Sequence, residues 1–413
     1  MTNLKKNKLL AVVLLFVVIF QSGHAFQTIY PALMYIPYIP AAIALLIILI
    51  DRECHSLSNP QNLALWLFMF MIIATAIVSV ESGTNYFYLQ IATLILAAYC
   101  IVKLYSFKQM AECYLAVMTV VSVAALIGYV LLNNTSYLDF LPKIKSINDM
   151  EYGVGVIYNY LTMAPDRNCG MFWEPGLFAT HLTIAMMLEL ITKQRASVLR
   201  IILFSICIFT ANSSAGFVIW FLCFILIFIR KRNAIMGPIK TIFSVILLIV
   251  AIGVVINFDT ILSETALGEN EYFQKLYSDS ILDSTRSNAL GHNLELFATA
   301  PIFGVGYVTA MSNIAYVADT STTTFLMSVF GILGSAYTVF IIYGVFKIKK
   351  LNLLSKILVL AIMLIIINKE PHHQILFTWV LIFYLANGLS ADVNSDKVND
   401  NTVRGRHEIK KLF

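Results

Sequence analysis

The stretch Arg167-Asn-Cys-Gly-Met-Phe-Trp-Glu174-Pro-Gly-Leu-Phe-Ala-Thr-His181 ends a polar loop and opens an apolar run that continues to Glu189. Proline suits the first turn of a helix, where its missing N–H would lack a partner in any case, so a helix is predicted to begin near Glu174. That helix places a carboxylate at its positive end and His181 on nearly the same face. Arg167, Glu174 and His181 are therefore either a polar group suited to an anionic substrate or a helix cap with a packed histidine.

The composition is that of a membrane protein. Of the 413 residues, 59% are hydrophobic and 12% are charged, against roughly 25% charged in soluble domains. Apolar runs long enough to cross a bilayer recur along the chain. The predicted fold class is therefore all-α, a polytopic integral membrane protein. The net charge of +5 requires no nucleic-acid partner, because the basic residues lie where membrane topology places them.

About twelve membrane spans are predicted. They cover residues 8–22, 30–50, 61–80, 86–103, 110–132, 173–192, 198–211, 215–230, 240–257, 321–346, 351–368 and 374–390. Residues 1–390 then form one membrane domain, with long extracytoplasmic loops at 133–171 and 257–320. Within the second loop, helices are expected over 271–277 and 285–297. The polar, basic tail 391–413 is expected to be disordered and cytoplasmic.

The distribution of lysine and arginine predicts the orientation. With the N-terminus in the cytoplasm, the basic short loops fall inside, and the outside turns 81–84 and 212–214 contain neither residue. The C-terminus is then cytoplasmic as well. The first segment also resembles a signal peptide, with basic residues, an apolar run and Gly23-His24-Ala25. An uncleaved first span is favoured because the remaining spans then fit the charge pattern.

Each long loop contains a single arginine, Arg167 in the first and Arg286 in the second. A planar guanidinium can bind two phosphate oxygens at once, which favours a diphosphate ligand. The alternatives are an ion pair of Arg167 with Asp166 or Glu174, and a solvated Arg286. Glu174 itself is either a general base or a helix cap.

Ionisable residues in or beside apolar runs usually face a cavity or a partner. The histidines considered are His181, as a core residue or cavity group; His292, on a loop helix; and His372 and His373, in an interfacial loop. Glu189 is expected to pair with Lys193, four residues later. The six cysteines show no metal-binding spacing. With no P-loop, HExxH or DxD-type pair, neither a metal nor another cofactor is expected.

Three stretches resemble the integral-membrane O-antigen polymerase and ligase superfamily. Motif 1 is Arg167-x-x-Gly-x-Phe-x-Glu-Pro175, similar to the Arg–Gly–Phe–Glu–Pro signature of its polymerases. Motif 2 is Ala300-Pro-Ile-Phe-Gly-Val-Gly-Tyr307, preceded by the helix of Arg286. Motif 3 is Thr322-Thr-Thr-Phe-Leu, followed by Gly331-Ile-Leu-Gly334. Ligases have a histidine where Thr322 or Thr323 stands, so its absence favours a polymerase.

The resemblance implies a GT-C-like architecture of about twelve spans, with the large loop between the ninth and tenth. It implies a bacterial inner-membrane glycosyltransferase, metal-independent and inverting. This enzyme would transfer a growing glycan from undecaprenyl diphosphate to the non-reducing end of a lipid-linked repeat unit. The implied partners are the lipid-linked oligosaccharide donor and acceptor, the lipid bilayer, and, as candidates, a chain-length regulator and a flippase.

The resemblance also implies roles for the candidate residues. Arg167 and Arg286 would bind the donor diphosphate, and Glu174 would orient or deprotonate the acceptor hydroxyl. The further candidate substrate contacts are His181, His292 and Thr322. The alternatives are a ligase that transfers glycan to lipid A core or another acceptor, a flippase or transporter of lipid-linked oligosaccharide, and a scaffold subunit without chemistry.

Overall fold

The computed structural model describes residues 8–30, 42, 59–79, 85–138, 140–146, 149–193, 196–230, 285–312, 319 and 321–389, and these are mostly helical. Side chains are described in these ranges except at residues 8–10, 85, 230 and 285–288. The elements up to the first long loop are α1 (Lys8–Phe20), α2 (Ala25–Ile29), α3 (Asn59–Val78), α4 (Asn85–Leu104) and α5 (Phe107–Asn134).

The remaining elements begin with three short strands, β1 (Lys143–Lys145), β2 (Glu151–Val154) and β3 (Asn159–Leu161). The helices that follow are α6 (Pro175–Thr192), α7 (Val198–Ala211), α8 (Ser214–Arg230), α9 (Thr285–Thr299), α10 (Tyr307–Ser312), α11 (Thr322–Phe330), α12 (Ala336–Lys347), α13 (Leu353–Ile367) and α14 (Leu376–Ala386). Single 3-10 turns occupy Gly331–Ser335 and His372–Gln374.

Five helical segments among the described residues are long and apolar enough to cross a membrane. They are Asn59–Val78, Tyr86–Leu104, Phe107–Asn134, Pro175–Thr192 and the continuous segment Thr322–Lys347. Shorter apolar helices accompany them, and together they fit a membrane protein. The predicted spans at 30–50 and 240–257, and the predicted tail, lie outside the described residues; the other predicted spans fall on helices.

Helices α6 and α14 form the centre of the bundle. Of the residues in α6, 94% are buried, and every residue of α14 is buried. Because lipid tails are as apolar as the side chains, packing and interhelical hydrogen bonds must hold such helices together. One example is the Tyr384 hydroxyl, which donates to the Tyr105 carbonyl oxygen at 2.7 Å. Another is the Tyr114 ring, which stacks on Phe377 with centroids 4.0 Å apart.

One end of the bundle carries Lys193, Arg200, Lys347 and Lys356 together with two ion pairs, and we call it the basic end. The predicted pairing of Glu189 with Lys193 is wrong. Helix α6 ends at Thr192, so Lys193 leaves the helix and its ammonium pairs with Glu112 at 3.2 Å. Glu189 instead accepts from the Ser197 backbone N–H at 2.7 Å and pairs with Arg200 at 3.1 Å.

The opposite end carries a three-stranded antiparallel sheet of order β1-β2-β3, and we call it the sheet end. The register pairs Lys143 with Gly153 and Tyr152 with Leu161. The sheet lies in the first long loop, for which the sequence predicted no strands. Gly128 of α5 allows the Tyr158 ring to approach the helix, because an added Cβ would lie 2.5 Å from that ring.

The second long loop contains helix in its described part. Helix α9 confirms the helix predicted over 285–297, whereas 271–277 lies outside the described residues. Helix α9 packs against α11. There the Asn293 side-chain amide donates to the Thr324 hydroxyl at 3.3 Å. This contact holds the loop helix against the sheet end of α11.

Candidate functional site

Asn168 connects motif 1 to helices α5 and α7. Its side-chain amide donates to Thr210 Oγ1 at 3.0 Å and to the Ala125 carbonyl oxygen at 3.3 Å, and its own carbonyl accepts from the Gly170 N–H at 2.9 Å. Gly170 has φ +57°, a conformation in which a side chain would be strained. Motif 1 therefore has one defined course into the start of α6.

Glu174 occupies the N-cap position of α6, directly before Pro175. Its side chain makes no capping hydrogen bond. The helix thus begins where the sequence predicts, while the carboxylate is not used by the helix backbone. A half-buried carboxylate at this place is available for contact with another group.

The Arg167 guanidinium donates from Nη2 to the carbonyl oxygen of Asn212, in the turn between α7 and α8, at 3.1 Å. Its Nε is shielded and has no hydrogen-bond partner among the described residues. In the described ranges of the chain, the Arg167 guanidinium forms no ion pair with Asp166 or Glu174. Its positive charge is therefore not neutralised by a described carboxylate.

Arg167 and Glu174 both lie close enough to Cys169 to affect its thiol. Burial raises the pKa of Cys169 to about 12, against the lowering effects of the Leu161 backbone hydrogen bond and the Arg167 charge; the Glu174 charge raises it further. Cys169 is therefore protonated at neutral pH and unsuited to nucleophilic attack.

Two buried charged residues, Lys369 and Glu370, follow α13 and meet the start of α6. The Lys369 ammonium donates at 2.8 Å to the Gly176 carbonyl oxygen and at 2.8 Å to the Ser213 hydroxyl. Glu370 Oε1 lies 2.8 Å from where a Cβ on Gly176 would be. Neither residue was predicted as a site residue from the sequence, although two ionisable residues at the end of an apolar run are the signal that could have revealed them.

Motif 3 joins the same loop through Thr322. The Thr322 hydroxyl donates to the Glu370 carbonyl oxygen at 3.0 Å and accepts from the His372 N–H at 2.8 Å. Asn368 Oδ1 accepts from the Thr323 N–H at 3.1 Å. Thr322 is fully buried, with its hydroxyl engaged on both sides. This placement favours a structural role for Thr322, fastening α11 to the loop that carries Lys369.

Motif 2 interlocks with motif 3 through backbone atoms. The Val305 N–H donates to the Ser328 carbonyl oxygen at 2.8 Å, and the Ile332 N–H donates to the Pro301 carbonyl oxygen at 2.8 Å. Gly304, with φ +76°, lies so close to the α11 backbone that a Cβ would collide with it. The three motifs, distant in sequence, are therefore connected at the sheet end.

His181 lies in the interior. Its Nδ1 is 2.9 Å from the Tyr114 hydroxyl and its Nε2 is 3.1 Å from the Ser22 carbonyl oxygen. Its ring also stacks on Phe172 with centroids 4.4 Å apart. Both ring nitrogens are engaged and the side chain is 1% exposed. These contacts favour the packed-histidine interpretation over substrate contact.

Helix α9 carries Arg286 and His292. His292 is half-buried, and its Nε2 is shielded without a hydrogen-bond partner among the described residues. The side chain of Arg286 lies outside what the structure describes, so its predicted role stays a prediction. The helix backbone places Arg286 on an element that packs against α11.

His372 and His373, expected in an interfacial loop, are both fully buried. Burial lowers the pKa of His373 to about 3. Burial, and then the nearby charges of His181, Lys369 and His373, hold the pKa of His372 well below its usual range. Both rings are therefore neutral at physiological pH.

No protein-family model matches the chain, and no curated protein matches it significantly. Any function must be inferred from the arrangement at the sheet end. Arg167 supplies a positive charge next to the α7–α8 turn, and Lys369 and the adjoining Glu370 place a cation and a carboxylate against Gly176 in the first turn of α6. The N-terminus of a helix also favours anions. Glu174 supplies a half-buried carboxylate at the N-cap of α6. This combination suits the binding of a phosphate-bearing substrate, and the Glu174 carboxylate can accept a proton.

Proposed function

We propose that the protein is a bacterial inner-membrane polymerase of O-antigen or a related surface polysaccharide. The observation that supports this most is the connection of the three motifs at the sheet end. Lys369 bonds to Gly176, the residue directly after motif 1, motif 3 contacts the adjoining Glu370, and motif 2 interlocks with motif 3. Three segments that each resemble the same protein family and also lie close together are expected to form one site.

In this proposal Arg167, with Arg286, binds the diphosphate of the lipid-linked donor. An acceptor sugar hydroxyl attacks the anomeric carbon, and the bond from that carbon to the diphosphate oxygen breaks. Glu174 takes the hydroxyl proton, and the electron pair leaves with the diphosphate, whose charge the arginines stabilise. A single displacement inverts the anomeric centre and requires neither a metal nor another cofactor.

The proposed orientation places the sheet end outside the cytoplasm. Lys193, Arg200, Lys347 and Lys356 lie at the basic end, as expected of a cytoplasmic face. Both termini would then be cytoplasmic, and lipid-linked repeat units delivered to the outer leaflet would reach the motifs. A chain-length regulator and a flippase are the partners proposed for this pathway step.

The test is the glycan ladder of a deletion strain complemented with wild type, Arg167→Ala or Arg286→Ala. Wild type should restore the ladder, whereas each variant should leave single repeat units. Lys143→Ala removes an exposed cation of the same loop and serves as the control, which should restore the ladder. Long glycan remaining on the lipid carrier in the deletion strain would identify a ligase, and an unchanged ladder would reject both enzymes.

A further inference from the structure

A hydrogen-bonded chain connects half-buried Asp319 to buried His373. Gln374 Nε2 lies 3.2 Å from Asp319 Oδ2 and 3.3 Å from His373 Nε2. A carboxylate can only accept, so the amide NH₂ faces it, and the second amide hydrogen is directed to the imidazole. His373 Nε2 is therefore the acceptor, and the ring proton resides on Nδ1.

That Nδ1–H donor is buried and has no hydrogen-bond partner among the described residues. Leaving such a donor unsatisfied costs about 1–3 kcal/mol. The ring is neutral at physiological pH, so no ion pair of the imidazole offsets this cost. The orphaned donor points to an acceptor supplied by a ligand.

Asp319 is the other end of the chain. It forms no ion pair within the described part of the chain. Burial raises the pKa of Asp319, with its own backbone hydrogen bond acting in the opposite direction. Burial and then the Asp319 charge raise the pKa of Tyr307, which places the carboxylate beside that phenol. Tyr307 is the last residue of motif 2.

Aromatic rings pack around the His373 imidazole. Phe325 and Phe87 lie 4.8 Å and 6.0 Å from the His373 ring, centroid to centroid. Tyr307 stacks on Phe87 at 3.9 Å. A few convergent polar groups on an aromatic lining are typical of sites for small organic ligands. A carboxylate, an amide and an imidazole N–H match the hydroxyl groups of a sugar, while aromatic faces match its C–H surface.

We propose that Asp319, Gln374 and His373 form a binding subsite for one sugar residue, lined by the rings of Tyr307, Phe87 and Phe325. The identification of the ligand as a sugar rests on the proposed polymerase function. The subsite lies beside the cluster of Thr322 and Glu370, because His373 directly follows His372, whose N–H bonds to Thr322. It would therefore hold a sugar of the lipid-linked repeat unit beside the loop whose Lys369 and Glu370 meet the start of α6.

The test uses purified full-length protein in nanodiscs. The probe is the repeat-unit oligosaccharide released by mild acid from lipid extracts of the deletion strain. Tryptophan fluorescence can report binding, because Trp379 donates to the His373 carbonyl oxygen at 2.8 Å. Asp319→Asn and His373→Phe should each raise the dissociation constant at least tenfold. Glu295→Gln, on the exposed side of α9, is the matched control and should bind as wild type does.

Melting temperatures within a few degrees of wild type would show that the variants fold, and His373→Phe retains a ring to pack against Phe325. Equal binding by wild type and both folded variants would overturn the subsite. So would absence of oligosaccharide binding by a wild-type protein that restores the ladder in cells. Lost binding in the variants together with an unchanged ladder in the deletion strain would retain the subsite and reject the polymerase.

Discussion

The ammonium group of Lys369 lies 2.8 Å from the carbonyl oxygen of Gly176, so a buried cation is bonded to the first turn of α6. The same ammonium reaches Ser213 between α7 and α8. One side chain thus connects the loop after α13, the start of α6 and the α7–α8 turn. This places the residue that follows motif 1 in direct contact with the loop after α13.

Replacing this cation should therefore damage both stability and activity. Lys369→Met removes two hydrogen bonds made by a charged donor, and we expect a loss of about 1–3 kcal/mol in the free energy of unfolding. We also expect the glycan ladder to be lost. Lys349→Met, an exposed lysine at the basic end, is the control and should change neither. A Lys369→Met protein with wild-type melting temperature and ladder would refute the assigned role.

The interlock of motifs 2 and 3 predicts that alanine substitution of two glycines, Gly304 and Gly291, changes the melting temperature in opposite directions. Gly304→Ala should lower the melting temperature strongly, because its φ is +76° and the new Cβ would collide with the α11 backbone. Gly291→Ala should raise it slightly, because nothing lies within 4 Å and alanine favours the helix by about 1 kcal/mol. Thermal unfolding in detergent compares the two, and similar effects of both changes would contradict the interlock.

His24 predicts a dependence of stability on pH. Its Nδ1 accepts from the Phe26 N–H at 3.1 Å and its Nε2 is 3.1 Å from the Val156 carbonyl oxygen, an arrangement of the neutral ring. Burial lowers its pKa from 6.5 to about 4, partly offset by hydrogen bonds to the Val156 and Gly155 backbone. Below pH 6.5 the unfolded chain binds a proton that the folded chain does not, so acid destabilises the fold.

The expected loss is up to about 1.4 kcal/mol per pH unit between pH 6.5 and 4, with no change from this group above pH 6.5. His24→Asn keeps a capping side chain but cannot be protonated in this range. The melting temperature should therefore fall less between pH 7.5 and pH 5.5 for this variant than for wild type. Equal falls would show that His24 does not contribute.

The two ion pairs at the basic end should differ in energy. Arg200→Ala leaves the Glu189 carboxylate, 1% exposed, without its cation, and we expect a destabilisation of about 3 kcal/mol. Lys193→Ala breaks a pair whose side chains are 31% and 41% exposed, and we expect at most about 1 kcal/mol. Thermal unfolding of both variants measures the difference. A larger loss for Lys193→Ala would reverse the assignment of the buried pair.

Features encoded by neighbouring residues could be predicted from the sequence. Pro175 and the apolar run after it predicted helix α6 with a start near Glu174, and the spacing of apolar residues over 285–297 predicted helix α9. Both depend on signals within a few residues, which propensity and capping describe directly.

Features that depend on distant contacts could not be predicted. Lys369 meets Gly176 across 193 positions, and no local pattern specifies such a contact. The sheet strands have only three or four residues each, too few for their alternation to stand out. His372 and His373 follow a proline and resemble a surface loop in sequence; only the packing of α4, α11 and α14 around them buries both rings.

The interlock of motifs 2 and 3, between Pro301 and Ile332 and between Val305 and Ser328, is made by main-chain atoms. Every amino acid except proline can donate such bonds, so most side chains along these segments could be exchanged without breaking them. Only positions such as Gly304, where no Cβ fits, are restricted. Distant relatives that share this interlock could therefore have little sequence similarity beyond a few glycines. Searches for them would gain more from glycine spacing within a helical framework than from overall identity.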